Sequence, residues 1–300
     1  MLIEVRAGCR LEIVADPLKT VPGSVNGEFF ADRTCIACET CAQIAPEIFE
    51  EAGEFFQVHR QPVTRGEVRW ATRALLACPV GAIGTLHRNH AQAVMHDFPL
   101  SIDGAVYYCG FNSRKSFGAN SYLVAHPNGN WLVDSPRFTQ HLVRRFEAIG
   151  GIRYIFLTHQ DDVADAAKFA SHFRAARIIH RHDAPAQRDA EIVLDGAASV
   201  EFEGGFRIIP TPGHTRGHCV MLYDERFLFT GDHLWWEPEA KRLGASRSAC
   251  WYSWPAQIAS MRRLLDQPFE WLLPGHGDRC HLPAAVMLHQ IALLVDRMCG

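Results

Sequence analysis

The chain has 300 residues, 48% of them hydrophobic and 21% charged, with a formal net charge of −3. That length suits two ordinary domains with buried cores; the composition excludes a disordered chain, and the charge gives no pull towards nucleic acid or anionic membrane. No apolar run approaches the roughly 18–20 residues of a membrane helix, and the start MLIEVRAGCRLEIVADP lacks the unbroken apolar stretch of a signal peptide. A cytoplasmic protein is expected, with neither nucleic acid nor membrane as a partner.

In chain order, residues 1–30 hold a short strand-like start and a turn-rich stretch, KTVPGSVNGEFF. Residues 31–86 contain a cysteine cluster and end in CPVGAIG. The stretch 87–103 shows no clean period and reads as a linker. From 104 the pattern changes to short strands, AVYYCG, NSYLVAH and WLVD, separated by turns. FTQHLVRRFEAIG has helical spacing and stops at Gly150 and Gly151. IRYIFLTH reads as a buried strand, DVADAAKFASHF as a helix and ARIIH as a strand. SVEFEG, FRIIPTP, CVMLYD and RFLFTGD are strand-like, WPAQIASMRRLLDQ is amphipathic, FEWLLPGHG runs from strand into loop, and PAAVMLHQIALLVDRM closes as a helix. Strands alternating with helices predict a layered domain over 104–300, following a small domain over 1–86.

Ten cysteines are present, and Cys35, Cys38 and Cys41 fall within seven residues, with Cys78-Pro79 further on. A disulfide framework belongs to small secreted domains, so tight clustering here points to metal. Thiolates suit iron–sulfur clusters, and C-x2-C-x2-C with a distant C-P is a ferredoxin spacing; zinc sites pair C-x2-C with a second such pair or with histidines. ADRTCIACETCAQIAPEIFE followed by ACPVGAIG resembles the single-cluster bacterial ferredoxins over about 55 residues. The resemblance implies one [4Fe-4S] cluster held by Cys35, Cys38, Cys41 and Cys78, a [3Fe-4S] cluster being compatible with the same ligands. Cys9 lies outside the pattern and reads as a small apolar residue.

The second constellation is LTHQDD around His159, Asp161 and Asp162, then PGHT with His214, TGD with Asp232 and PGHG with His276. Each lies after an apolar strand, where loops bring polar side chains to a common face. Imidazole and carboxylate suit zinc, iron and manganese, and a di-metal site lowers the pKa of a bridging water. This ordered set resembles the metallo-β-lactamase superfamily over 104–300, with NSYLV and LVDSPRF near its start. The resemblance implies a four-layer αββα sandwich, α+β overall, with His214 and His276 as ligands and Asp232 as a bridging carboxylate. One or two zinc or iron ions are then expected.

The first motif departs from the family's H-x-H-x-D-H. In one register His159 is the first ligand and Asp161 replaces the second histidine. In the other, which also accounts for the small-residue helix start, His159 is the second ligand, Asp161 the aspartate, Asp162 replaces the closing histidine and Leu157 stands in the first ligand position. Asp161, retained in both, is the candidate catalytic carboxylate. VNGEFFADRTCIACETC, FNSRKSFGANSYLV and THQDDVADA together look like a group of ferredoxin–metallo-β-lactamase-fold fusions.

His180 and His182 read as surface or hydrogen-bonded histidines, and His218 and His233 as residues that orient ligands. Trp235, Trp236, Trp251 and Trp254 could line a pocket or cover a sheet edge; Ser113, Arg114 and Lys115 read as a solvated turn. Three functions compete: a metal-dependent hydrolase of an unidentified small-molecule substrate, a redox protein coupling the cluster to a second metal centre and to an electron donor or acceptor protein, and a non-catalytic binding or sensor module.

Overall fold

The computed structural model describes residues 15–87 and 89–300. Most of the strand-like start, and Cys9 with it, lies outside them. The chain divides into two compact units: one runs to Leu123 and takes in Pro136–Gly151, and the other comprises Val124–Ser135 and Ile152–Gly300.

In the first unit, strand Phe29–Ala31 pairs antiparallel with Ile83–Thr85, and Phe49–Ala52 forms a hairpin with Phe55–Val58. Helix Arg65–Ala77 starts at a capping box: the Thr64 hydroxyl accepts from the Glu67 N–H while the Glu67 carboxylate accepts from the Thr64 N–H. This satisfies two of the helix's unpaired donors. Its small buried face, with Ala71, Ala74 and Ala77, packs against the short helix Thr40–Ile44. Cys78 caps the long helix, and Pro79 follows it. The stretch 87–103, read from the sequence as a linker, contains helix Asn89–Met95 and strand Leu100–Asp103, the latter paired with Val106–Tyr108. Its period is obscured because both elements are short.

The second unit is built on two sheets. Strands Trp131–Val133, Tyr154–Phe156, Ala176–His180 and Ile192–Leu194 lie side by side in that order, all parallel. Parallel strands are covered on both faces, hence their near-continuous apolar runs. The second sheet runs Val200–Phe202, Phe206–Pro210, Cys219–Tyr223, Phe227–Gly231, Trp271–Pro274 and Cys280–His281, antiparallel except where Phe227–Gly231 meets Trp271–Pro274. Trp131 stacks on Phe206, ring centroids 4.4 Å apart, joining the inner faces of the sheets. Helix Ala166–Phe173 covers the first sheet. Helices Trp254–Arg263 and Ala284–Cys299 cover the second through Leu228, Leu272, Met261, Phe269, Met287 and Ile291, all fully buried. The result is a four-layer αββα sandwich.

The helix expected over DVADAAKFASHF begins only at Ala166, because Gln160–Asp162 forms a separate 3-10 turn. A hairpin of Trp235–Glu237 with Arg242–Gly244 went unread in the sequence, its strands being only three residues each. Among the described residues no helix is long and apolar enough to cross a membrane.

Leu272 is fully buried in the core under the two C-terminal helices. Leu272→Ala is expected to destabilise the second unit by about 2–5 kcal/mol through lost transfer energy and the cavity left behind, measured as the shift of its transition in urea followed by tryptophan fluorescence.

Candidate metal centres

The four cysteines of the first unit line one pocket, with Ala31, Ile36, Phe56, Val80 and Ile83. Left-handed backbone at Ala37 (φ 54°) and Glu39 (φ 63°) curls the loop that carries three of them. Backbone N–H groups already aim at the sulfurs: Ala37 and Phe56 at Cys35 Sγ, each 3.4 Å, and Ala82 at Cys78 Sγ, 3.3 Å. Burial pushes the Cys38 thiol up to about 11 and the Cys41 and Cys78 thiols upwards as well, with neighbouring sulfurs adding to the shift. Buried thiols such as those of Cys41 and Cys78 ionise only against a strong local positive charge, which iron supplies. Among the described residues no cysteine is in a disulfide. The pocket therefore fits a cluster.

In the second unit the loops at the strand ends bring the histidine and aspartate residues together. His159, His214 and Asp232 each offer one ligand atom within 4.8 Å of the others, and so do Asp162, Asp232 and His276. Asp232 belongs to both groups. Its Oδ2 lies 3.7 Å from Nε2 of both His159 and His214 and 3.9 Å from Nε2 of His276. Asp161 Oδ2 stands 3.6 Å from His214 Nε2 and 3.9 Å from His159 Nε2. The adjacent acids thus separate, Asp161 towards the first group and Asp162 into the second. Neither sequence register alone describes this division, and Leu157 is a fully buried apolar residue with no donor to offer.

Supporting contacts fix which atoms face inward. The Nδ1–H of His214 donates to the Ala249 carbonyl, which can only accept, so Nε2 carries the lone pair. His159 Nδ1 meets the Thr158 hydroxyl at 3.0 Å, again leaving Nε2 for the site. The Thr158 hydroxyl in turn lies 3.0 Å from both oxygens of Asp134, which also accepts from the Thr158 N–H. Asp183 ties two ligand loops together, accepting from the Gln160 N–H at 3.1 Å, the Gly217 N–H at 2.9 Å and the Thr215 hydroxyl. Neither Asp134 nor Asp183 was assigned a role from the sequence. Asp134 stands in LVDSPRF and Asp183 follows the apolar run RIIH, but nothing local to either shows which loops it will bind.

The electrostatics are those of a cation site. His159 Nε2, His214 Nε2, Asp162 Oδ2 and Asp232 Oδ1 are buried without a hydrogen-bond partner. Burial, then the charges of Asp232, Asp134 and Asp161, drive the Asp162 carboxyl far above its usual range. Burial lowers His159 to about 4 against the pull of Asp232. Burial also opposes ionisation of Asp232, but His276, His159 and His214 outweigh it and lower its pKa. The His214 imidazole holds the half-exposed Asp161 carboxyl below the usual range. Unpaired polar atoms buried at this density are costly, and bound metal ions remove that cost.

Of the other residues singled out, His218 packs its ring against His159 with centroids 5.2 Å apart, its Nδ1 3.0 Å from the Thr211 hydroxyl. His233 stacks on His218. His180 is buried and hydrogen-bonded to the Gly196 carbonyl through Nε2, and His182 is exposed, so the two histidines divide between the two expectations. Trp251 is 69% exposed and beside His214, Trp235 lies against Gly277, and Trp254 and Trp236 pack on the helix-covered core.

Comparison with known proteins agrees with both halves. Residues 31–85 match the 4Fe-4S single cluster domain of Ferredoxin I. Residues 115–276 match the metallo-beta-lactamase superfamily model, which spans more than half of the sequence. The chain belongs to the metallo-β-lactamase superfamily, with a single-cluster iron–sulfur domain at its N-terminal side. A lactamase-like protein of Pestalotiopsis microspora is 32% identical over 60% of this chain and 56% of its own length. A hydroxyacylglutathione hydrolase of Acidiphilium cryptum is 32% identical over 57% of this chain and 71% of its own. Thus the chain spans little more than half of the first relative's length. The DIM-1 metallo-β-lactamase crystal structure shares the fold at 19% identity and a TM-score of 0.51, covering 66% of this chain and 95% of its own.

A Cβ at Gly275 would sit 2.7 Å from Asp232 Oδ1 and 2.8 Å from Asp162 Oδ2. Gly275→Ala is expected to push both carboxylates aside and reduce metal per chain well below that of the wild type, with an unchanged circular dichroism spectrum; elemental analysis of the two proteins side by side checks it.

Proposed function

We propose that the chain is a metal-dependent hydrolase carrying an accessory iron–sulfur cluster. The observation that carries this reading is the pair of donor groups sharing Asp232, both lined by buried ligand atoms that lack protein partners. His159, Asp161, His214 and Asp232 would hold one ion, and Asp162, Asp232 and His276 a second. Metal bound there would supply Lewis acidity and make water acidic enough to act as a nucleophile near neutral pH. The chain's own part is to hold the ligands. Asp183 fixes the 160 and 215–217 loops against each other, and the Ala249 carbonyl and Thr158 hydroxyl keep the two imidazole rings turned inward. Asp161, with its side chain 49% exposed, is the carboxylate of the set that solvent reaches most readily, and His214 keeps it ionised. It is placed to accept a proton from water entering the site. The similarity to a hydroxyacylglutathione hydrolase makes thioesters and activated esters the first substrates to try. Cys35, Cys38, Cys41 and Cys78 would hold a [4Fe-4S] cluster able to exchange one electron with a donor or acceptor protein.

One observation favours a second, redox reading. Asp161 and Asp162 stand where the family pattern has histidine or lies beside it, and a ligand set mixing carboxylate with imidazole suits iron as well as zinc. In that reading the cluster passes electrons to iron in the second unit.

Protein purified without oxygen and loaded in turn with zinc, manganese and iron is expected to hydrolyse a thioester or ester from a broad panel, with Asp232→Asn losing at least about 100-fold in kcat/KM together with most of its second-unit metal. Full occupancy without turnover of any ester would remove the hydrolase. Iron in the site that is reduced by the cluster in stopped-flow mixing would install the redox reading in its place.

A further inference from the structure

The segment Phe111–Asn120, read from the sequence as holding a solvated turn, lies in the same compact unit as the four cysteines and is mostly buried. Ser113 and Ser116 are buried, and only Arg114, Lys115 and Phe117 face solvent. At Gly118 (φ 91°) an added Cβ would lie 2.9 Å from both Cβ and Sγ of Cys38 and 3.1 Å from Cγ of Pro79. Any side chain there would be driven into the sulfur, so the backbone itself covers Cys38.

Beneath this cover runs a chain of hydrogen bonds whose direction can be worked out. Asn112 is fully buried. Its amide lies 2.7 Å from the Gly118 carbonyl, which can only accept, so the atom facing Gly118 is Nδ2. The opposite atom is then Oδ1, which accepts from the Tyr108 hydroxyl at 2.8 Å. Nδ2 also reaches the Thr40 hydroxyl oxygen at 3.2 Å and donates to it. Thr40 keeps one proton to give. Two acceptors are in range: the Gly118 carbonyl at 3.3 Å, which already accepts from Asn112 at the shorter distance and has one lone pair left, and Cys38 Sγ at 3.4 Å, which as a ligating thiolate carries negative charge and so draws the proton more strongly. A free Cys38 thiol could itself donate to Thr40; a cysteine bound to iron has no proton and can only accept.

We propose that Asn112 is a positioning residue for the cluster: it occupies the Thr40 hydroxyl oxygen, directs the Thr40 proton onto the Cys38 sulfur, and so raises the cluster's reduction potential. This rests on the reading of Cys35, Cys38, Cys41 and Cys78 as the cluster ligands. A hydrogen bond to a ligating sulfur draws off negative charge and favours the reduced, more negative cluster, and exclusion of water fixes how strongly it acts. Asn112 lies well outside the 31–85 segment that matches the ferredoxin family, so the donor comes from the part of the chain that follows that segment.

The test uses the full chain, purified without oxygen, with iron and acid-labile sulfide measured in every sample. Thr40→Val and Asn112→Asp are each expected to lower the midpoint potential at full cluster content, the second because a carboxylate takes the Thr40 proton for itself. Thr40→Ser is expected to keep the wild-type potential. The double variant Thr40→Val with Asn112→Ala, which adds no charge beside the cluster, should fall no further than Thr40→Val alone. Electron–nuclear double resonance of the reduced cluster should show an exchangeable proton coupling in the wild type and in Thr40→Ser that is missing in Thr40→Val. An unshifted potential and unchanged proton couplings in cluster-loaded Thr40→Val would overturn the proposal, as would a double variant lower than Thr40→Val. A shift in Thr40→Val with none in Asn112→Asp would remove the role of Asn112. If Asn112→Asp does not fold, Asn112→Ala takes its place with the same expectation. A wild type without sulfide after reconstitution would overturn the cluster reading and this proposal together, whereas a loaded wild type with unshifted variants would overturn this proposal alone.

Discussion

Asp232 is the constraint around which the second unit is arranged. A carboxylate at the end of a buried strand, facing His159 and His214 on one side and Asp162 and His276 on the other, is tenable only with positive charge nearby. The imidazoles provide some of it and lower the Asp232 pKa, but they do not relieve Asp162, which burial and three neighbouring acids drive towards protonation. The αββα sandwich supplies the rigid frame that keeps these groups from relaxing apart. Its strands end at the ligand loops, and Gly275 lets the last loop pass within contact distance of two carboxylates.

Much of this was legible in the sequence. The cysteine loop could be read directly, because three ligands on seven consecutive residues and a C-P pair are local signals whose spacing alone names the chemistry. The layered fold and the PGHT, TGD and PGHG ligand segments were legible for a similar reason, each being an apolar strand followed by a glycine-flanked polar residue. Family comparison then recovered the same two segments.

What could not be read was the first motif. The two registers name ligand positions for His159, Asp161 and Asp162, and neither says which donor group each acid joins. The 3-10 turn at Gln160–Asp162 sends two adjacent acids to different donor groups, a consequence of local backbone geometry that residue types do not announce. Asp183 was hidden for another reason: its three donors come from residues 23 to 34 positions away, so its role exists only once the loops have met. The burial of Phe111–Asn120 was equally invisible, since serine, arginine, lysine and asparagine in a row have the composition of a solvated loop.

That segment also bears on how the protein can be taken apart. Family resemblance draws a border after residue 85, and the folded unit ignores it. The backbone N–H of Asn112 closes the last turn of the Arg65–Ala77 helix by donating to the Ala77 carbonyl at 3.2 Å, Asn120 reaches Gln43 at 3.1 Å, and Gly118 seals Cys38. Excised at the border, the ferredoxin portion would be no portable cassette: it would lose the lid over one of its sulfurs and leave a helix-end carbonyl to water. Transplanted elsewhere, it would carry the same cysteines in a wetter and more oxygen-accessible setting.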